Sequence, residues 1–202
     1  MSDADRGAST RPRSRLPVPA SYPRQVDATT CAIAALAVVA ARAQADPGYL
    51  TASRERVERT QLELHAIAAR IAVPWPQALG TSPWSLARLA QAATGLRYGI
   101  VVAGAAMRRR IDRALASGFD VFVYTGGSGV PLSGLIPRHV VVLLAHEGAT
   151  ERFYAVFEPS SGRVYQVDPD DFYSHAESVL PALGHWRRVL FALVPKIDDD
   201  PG

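Results

Sequence analysis

The chain has a single cysteine, Cys31, so no intramolecular disulfide framework can form, and without a CxxC pair neither a zinc ribbon nor a thioredoxin-like site is available. It contains no asparagine, which removes N-glycosylation and every mechanism that needs an asparagine side chain. Lys196 is the only lysine among 22 basic residues, and it follows no phosphate-binding loop. The longest apolar runs, Cys31 to Ala41 and Tyr98 to Met107, fall well short of the roughly 20 residues that span a bilayer. The first 24 residues hold neither an apolar stretch of signal-peptide length nor an Arg-Arg pair, so the sequence predicts a cytoplasmic protein with no membrane span. A net charge of +3 is too small to imply nucleic acid as a partner.

What is present describes one folded domain. With 202 residues, 48% hydrophobic and 20% charged, the chain is too apolar to be disordered throughout and too short for two full cores. Arg6, Arg11, Arg13, Arg15 and Arg24 precede the first apolar run, and Asp198, Asp199 and Asp200 close the chain. These ends predict a disordered basic tail over 1–20, a domain over 21–196 and a disordered acidic tail over 197–202. Oligomeric state cannot be read from the sequence.

Within the domain, Cys31 to about Gln44 is Ala-rich and apolar on nearly every face, which predicts a buried helix, with Asp27-Ala28-Thr29-Thr30 offering capping residues. A second helix is expected from Thr51 to Ala72 with Val57, Leu62, Leu64, Ile67 and Ile71 as its apolar stripe. After the prolines at 74, 76 and 83, Leu86, Leu89, Ala90 and Ala93 mark a third helix that ends at Gly95. A strand over Leu96–Val102, a helix over Ala105–Ser117 and a strand over Val121–Tyr124 follow. Then the pattern changes. His139–Ala145, Phe153–Phe157, Val164–Val167 and Val189–Val194 are rich in β-branched and aromatic residues and are joined by short, turn-rich links. The expectation is an α+β fold, a helical layer with a buried central helix packed on a C-terminal antiparallel sheet.

Several catalytic motifs are absent. His146-Glu147 lacks the second histidine of a zincin, Gly126-Gly127-Ser128-Gly129-Val130 lacks the last glycine of a nucleophile elbow, and no nucleotide-binding loop exists. His65, His175 and His185 have no metal-type spacing, so neither a metal nor an organic cofactor is expected. Cys31 differs through its place in the first turn of the most apolar helix. A helix N-terminus stabilises a thiolate and thereby activates it; the bland alternative is an inert buried thiol. Two residues favour activation. Gln25, in the extended segment six residues earlier, can bring its amide beside the Cys31 N–H as a second donor for an oxyanion. His139 opens the run Val140-Val141-Val142-Leu143-Leu144, where an imidazole is held rigidly enough to act as base and then acid in acyl transfer. The Gly-rich stretch Thr125 to Arg138 before it reads either as a lid or as an ordinary surface loop.

Gln25-x5-Cys31, His139 opening a strand, and the following Tyr154-Ala155-Val156-Phe157-Glu158-Pro159-Ser160-Ser161-Gly162-Arg163 together resemble the papain-like cysteine peptidases. Within that superfamily they resemble the C39-like branch, which includes the leader-peptide processing domains of bacterial bacteriocin exporters. The resemblance covers about residues 21–175 and implies a peptide or protein substrate. It makes Cys31 the nucleophile, His139 the base, Gln25 the oxyanion donor and Glu158 the carboxylate that orients His139. Asp168, in Asp168-Pro169-Asp170, competes for the last role, although it reads more naturally as a helix cap. The chain departs from the family pattern in having Glu158 where aspartate is usual and Cys31-Ala32 where Cys-Gly is usual. The resemblance leaves room for a transglutaminase-like acyltransferase, or for a weak enzyme retained as a peptide-binding or partner-binding module.

Overall fold

The computed structural model describes residues 17–44, 48–71, 80–127, 137–146 and 153–197. Both charged ends and most of the Gly-rich stretch before His139, residues 128–136, lie outside the described residues. Val18 and Ile197, which the sequence assigns to the tails, pack against the core.

Three helices come first: α1 (Cys31–Ala43), α2 (Arg54–Ile71) and α3 (Pro83–Thr94). α1 is buried on almost all sides, as its alanine-rich run predicts. In α3, Ser82 caps the first turn by accepting from Ser85 N–H, and Gly95 ends it in the left-handed conformation. The expected stripe on α2 is only partly right. Val57, Gln61 and Ala68 form its buried face, while Leu62 and Ile67 remain 47% and 44% exposed. A polar residue displaces the leucine because Gln61 has work at that position: its amide donates to Arg24 O and Tyr49 OH and accepts from Val26 N–H. Gln61 thereby fixes the segment that leads into Cys31.

The remaining elements are β1 (Tyr98–Val102), α4 (Ala105–Ala116), β2 (Val121–Gly126), β3 (Pro137–Leu144), β4 (Tyr154–Glu158), β5 (Arg163–Val167), α5 (Pro169–Ser174), a 3₁₀ helix (Glu177–Leu183) and β6 (Arg188–Pro195). All six strands join one antiparallel sheet in the order β1-β6-β2-β3-β4-β5. The α+β class, with a buried central helix packed on the antiparallel sheet, is as expected, and further helices cover the sheet's other face. Phe122, Tyr124, Val140, Val142 and Phe157 face α1, α2 and α3, whereas Val121, Val123, Val141, Leu143 and Val156 face α4, α5 and the 3₁₀ helix. Three layers result, because β2, β3 and β4 are apolar at consecutive positions and need cover on both faces. Among the described residues no helix is long and apolar enough to cross a membrane.

Candidate active site

The first turn of α1 meets the beginning of β3, and this junction places Cys31 and His139 on the wall of one recess, where Cys31 helps to favour the charged form of the ring. His139 Nε2 lies 2.7 Å from Glu158 Oε1, so Nδ1 is the ring nitrogen left for Cys31. All three side chains are buried: Cys31 and His139 are 6% exposed and Glu158 3%. Glu158 reaches the ring from the end of β4, and the turn after it compensates for its longer side chain. Ser160 N–H donates to Oε1 at 2.7 Å and Ser161 N–H to Oε2 at 2.8 Å, so the carboxylate is curled back and held by its own turn. Asp168 is elsewhere. It caps α5 by accepting from Asp170 and Asp171 N–H, the competing role the sequence suggested for it.

Protonation follows from this geometry. Burial opposes a charged ring at His139, but Cys31 and Glu158 outweigh that cost and raise its pKa to about 9. Burial likewise opposes a charged Glu158, yet His139 and the Ser160 and Ser161 donors hold its carboxyl at about 2. At neutral pH the pair is an imidazolium on a carboxylate, with the protonated ring beside Cys31.

The opposing shifts give a prediction. His139, raised from 6.5 to about 9, adds stability that is complete below 6.5 and fades as pH rises through 9. Glu158, lowered from 4.5 to about 2, adds stability that is complete above 4.5 and fades as pH falls through 2. The melting-temperature advantage of the wild type over Glu158→Gln is therefore expected to peak between about pH 4.5 and 6.5 and to shrink on either side. A difference that stays flat from pH 3 to 10 would contradict the pairing.

At the start of α1, Thr30 occupies the capping position but its side chain does not cap; its hydroxyl turns back to Asp27 O. The positive end of the helix is left to Cys31. Gln25 is held beside the Glu158 turn. Its N–H donates to Pro159 O, its side-chain Nε2 donates to Asp27 O at 2.7 Å, and its Oε1 accepts from Ser160 Oγ at 3.1 Å. One amide N–H of the side chain remains beyond the Asp27 bond.

A recess of about 20 Å³ opens on Cys31 and His139, bounded also by Thr81, Tyr124 and Arg138. That is room for about one water-sized group. The Thr81 hydroxyl is buried without a hydrogen-bond partner among the described residues, and Tyr124 OH makes a long bond, 3.4 Å, to Thr81 O. Burial, and then the charge of a Cys31 thiolate, push the Tyr124 hydroxyl well above its ordinary value. A much larger cavity, about 670 Å³, lies between Ser21–Val26 and the start of α2; Gln25 lines it, but Cys31 and His139 do not. Among the described residues no group of three or more His, Cys, Asp or Glu side chains is placed to hold a metal ion.

Sequence reasoning did not single out Ser160 and Ser161, whose backbone donors hold the carboxylate, nor Thr81 and Tyr124. The Pro159-Ser160-Ser161-Gly162 turn signal was readable; the direction of its N–H groups was not.

No protein-family model and no curated protein matches the chain. Solved structures do. The peptidase domain of Streptococcus ComA, a bi-functional ABC transporter involved in a quorum-sensing pathway, matches with a TM-score of 0.48 at 13% identity, covering 88% of this chain and 99% of that one. A Bacillus anthracis protein assigned by name as a C39-like peptidase matches with a TM-score of 0.47 at 12% identity, covering 88% of this chain and 95% of the other. Both likenesses are distant, and the identities are too low to transfer any residue's role.

Proposed function

We propose that this chain is a C39-like cysteine peptidase that hydrolyses a peptide or related amide bond through Cys31, His139 and Glu158. The observation that carries this reading is the buried His139 ring, which shares a recess with Cys31 and lies 2.7 Å from Glu158. An imidazolium next to a cysteine at a helix N-terminus is the arrangement that keeps a thiol ionised near neutrality.

The cycle follows from that starting state. The Cys31 thiolate adds to the carbonyl carbon, and the charge that develops on oxygen is met by the Cys31 N–H with the remaining Gln25 amide N–H. The intermediate collapses with breakage of the C–N bond, and the His139 proton goes to the leaving amine. Neutral His139 then takes a proton from water, which attacks the thioester; the acid leaves and the thiolate–imidazolium pair returns. Glu158 stays ionised throughout and holds the ring in register.

The test is incubation of the protein with a proteome-derived peptide library in water enriched in oxygen-18. New C-termini carrying the label are expected with the wild type and absent with Cys31→Ser. Products joined to an added amine, with no labelled acids, would assign acyl transfer instead. An intact library, together with Cys31 alkylating at the rate of free cysteine, would overturn the reading.

A further inference from the structure

The 3₁₀ helix ends in a Schellman motif: His185 N–H donates to Leu180 O at 2.7 Å, and Gly184 N–H to Pro181 O at 3.4 Å. Gly184 takes the left-handed conformation this motif needs, at φ 65°. That is one reason for glycine. A second lies in the site. A Cβ built on Gly184 would sit 2.4 Å from His139 Cδ2, 2.7 Å from Nε2 and 3.1 Å from Cγ, distances at which the ring would have to move. The same turn is tied to the strands that carry the ring, because Leu183 O accepts from Thr125 Oγ1 at 3.2 Å and Thr125 is the cross-strand partner of His139.

We propose that Gly184 is a positioning residue for His139: its bare Cα closes one side of the imidazole, keeping Nε2 on Glu158 and the other nitrogen on Cys31. This rests on the peptidase reading above. A side chain at position 184 pushes against Cδ2 and against Nε2, the atom that meets Glu158, and so turns the ring away from the carboxylate.

The structure supplies its own control. Gly95 has the same backbone conformation, φ 72°, at the end of α3, but a Cβ there meets nothing within 4 Å. Gly95→Ala and Gly184→Ala thus share the backbone cost, and only the second touches the imidazole. Both are expected to lower Tm, Gly95→Ala by about 2–4 °C. The discriminating measurement is the iodoacetamide alkylation rate of Cys31 against pH. Gly95→Ala should retain the wild-type profile, whereas Gly184→Ala should lose about tenfold or more in rate at pH 6.5 and regain it near pH 9.5. A Gly184→Ala profile that coincides with that of Gly95→Ala would overturn the proposal. If Gly184→Ala does not fold, Thr125→Val removes the bond to Leu183 O and should shift the profile in the same direction by a few-fold; an unshifted profile would then overturn it. A wild-type profile equal to that of a free thiol would overturn the peptidase reading and this inference with it.

Discussion

Replacement of His139 by alanine is expected to slow iodoacetamide alkylation of Cys31 at pH 6.5 by about tenfold or more, and to slow peptide hydrolysis by about a thousandfold or more. The sign follows from where the proton resides. His139, raised to about 9, keeps its proton through neutrality, so a positive ring stands beside the sulfur wherever pH is below that value. Without it, the sulfur loses the positive ring that favours its thiolate, and the loss in rate is moderated because a thiolate stabilised by a cation is also a weaker nucleophile. Above about pH 9.5 the two rates should converge, since the wild-type ring has then lost its proton as well. Hydrolysis has a further requirement. The ring must deliver its proton to the leaving amine, so the wild-type rate should fall as pH rises through about 9. An alkylation profile that His139→Ala leaves unchanged would remove the basis for catalysis by Cys31.

The candidate residues stand out in the sequence because they sit at element boundaries that the local pattern marks. Cys31 follows a polar turn and opens an alanine-rich helix, His139 opens a β-branched run, and Glu158 precedes a proline. What joins them is long-range. The bond from Glu158 to His139 depends on β3 lying beside β4, and the contact with Cys31 depends on α1 packing across β3. Neither pairing has a signal in local periodicity. The three-layer arrangement, by contrast, was readable. Val140-Val141-Val142-Leu143-Leu144 has no alternation, and an unbroken apolar strand needs cover on both faces, so helices on one side alone could not have sufficed. The stripe on α2 was misread because Gln61 looks like a solvent residue until its three backbone and side-chain partners are known. Gly184 shows the limit most clearly. Its place after a short helical run marks a C-terminal glycine, but its approach to His139, 45 positions earlier in the chain, is set by tertiary packing alone.

The largest effect on stability is expected from Asp120→Ala. Arg42, near the end of α1, is completely buried and donates from Nε to Asp120 Oδ2 at 2.9 Å, from Nη2 to Ala145 O at 2.6 Å and from Nη1 to Tyr22 OH at 2.9 Å. Asp120 also accepts from Ala145 N–H at 2.8 Å. The group ties α1 to the entry of β2 and the exit of β3. It is not stabilising in proportion to its bonds: burial pushes the Asp120 carboxyl up even with Arg42 beside it, so desolvation outweighs the attraction at that carboxylate. Removing one partner is a different matter, because it takes the Asp120 carboxylate away from a fully buried guanidinium. Asp120→Ala should therefore cost about 3–5 kcal/mol, read as a lower urea midpoint, while the double replacement Arg42→Met with Asp120→Leu should recover most of that loss. The site should respond little. Arg42 stands 11 residues along α1 from Cys31, about 16 Å at 1.5 Å per residue, and its bonds to Asp120, Ala145 and Tyr22 do not involve His139 or Glu158. The folded fraction of Asp120→Ala is thus expected to alkylate at Cys31 with the wild-type pH profile, the opposite of what His139→Ala should show. If Asp120→Ala shifted that profile as strongly as His139→Ala does, the alignment of Cys31 with His139 would depend on how the far end of α1 is anchored, and the junction at the start of the helix would not be enough to set it.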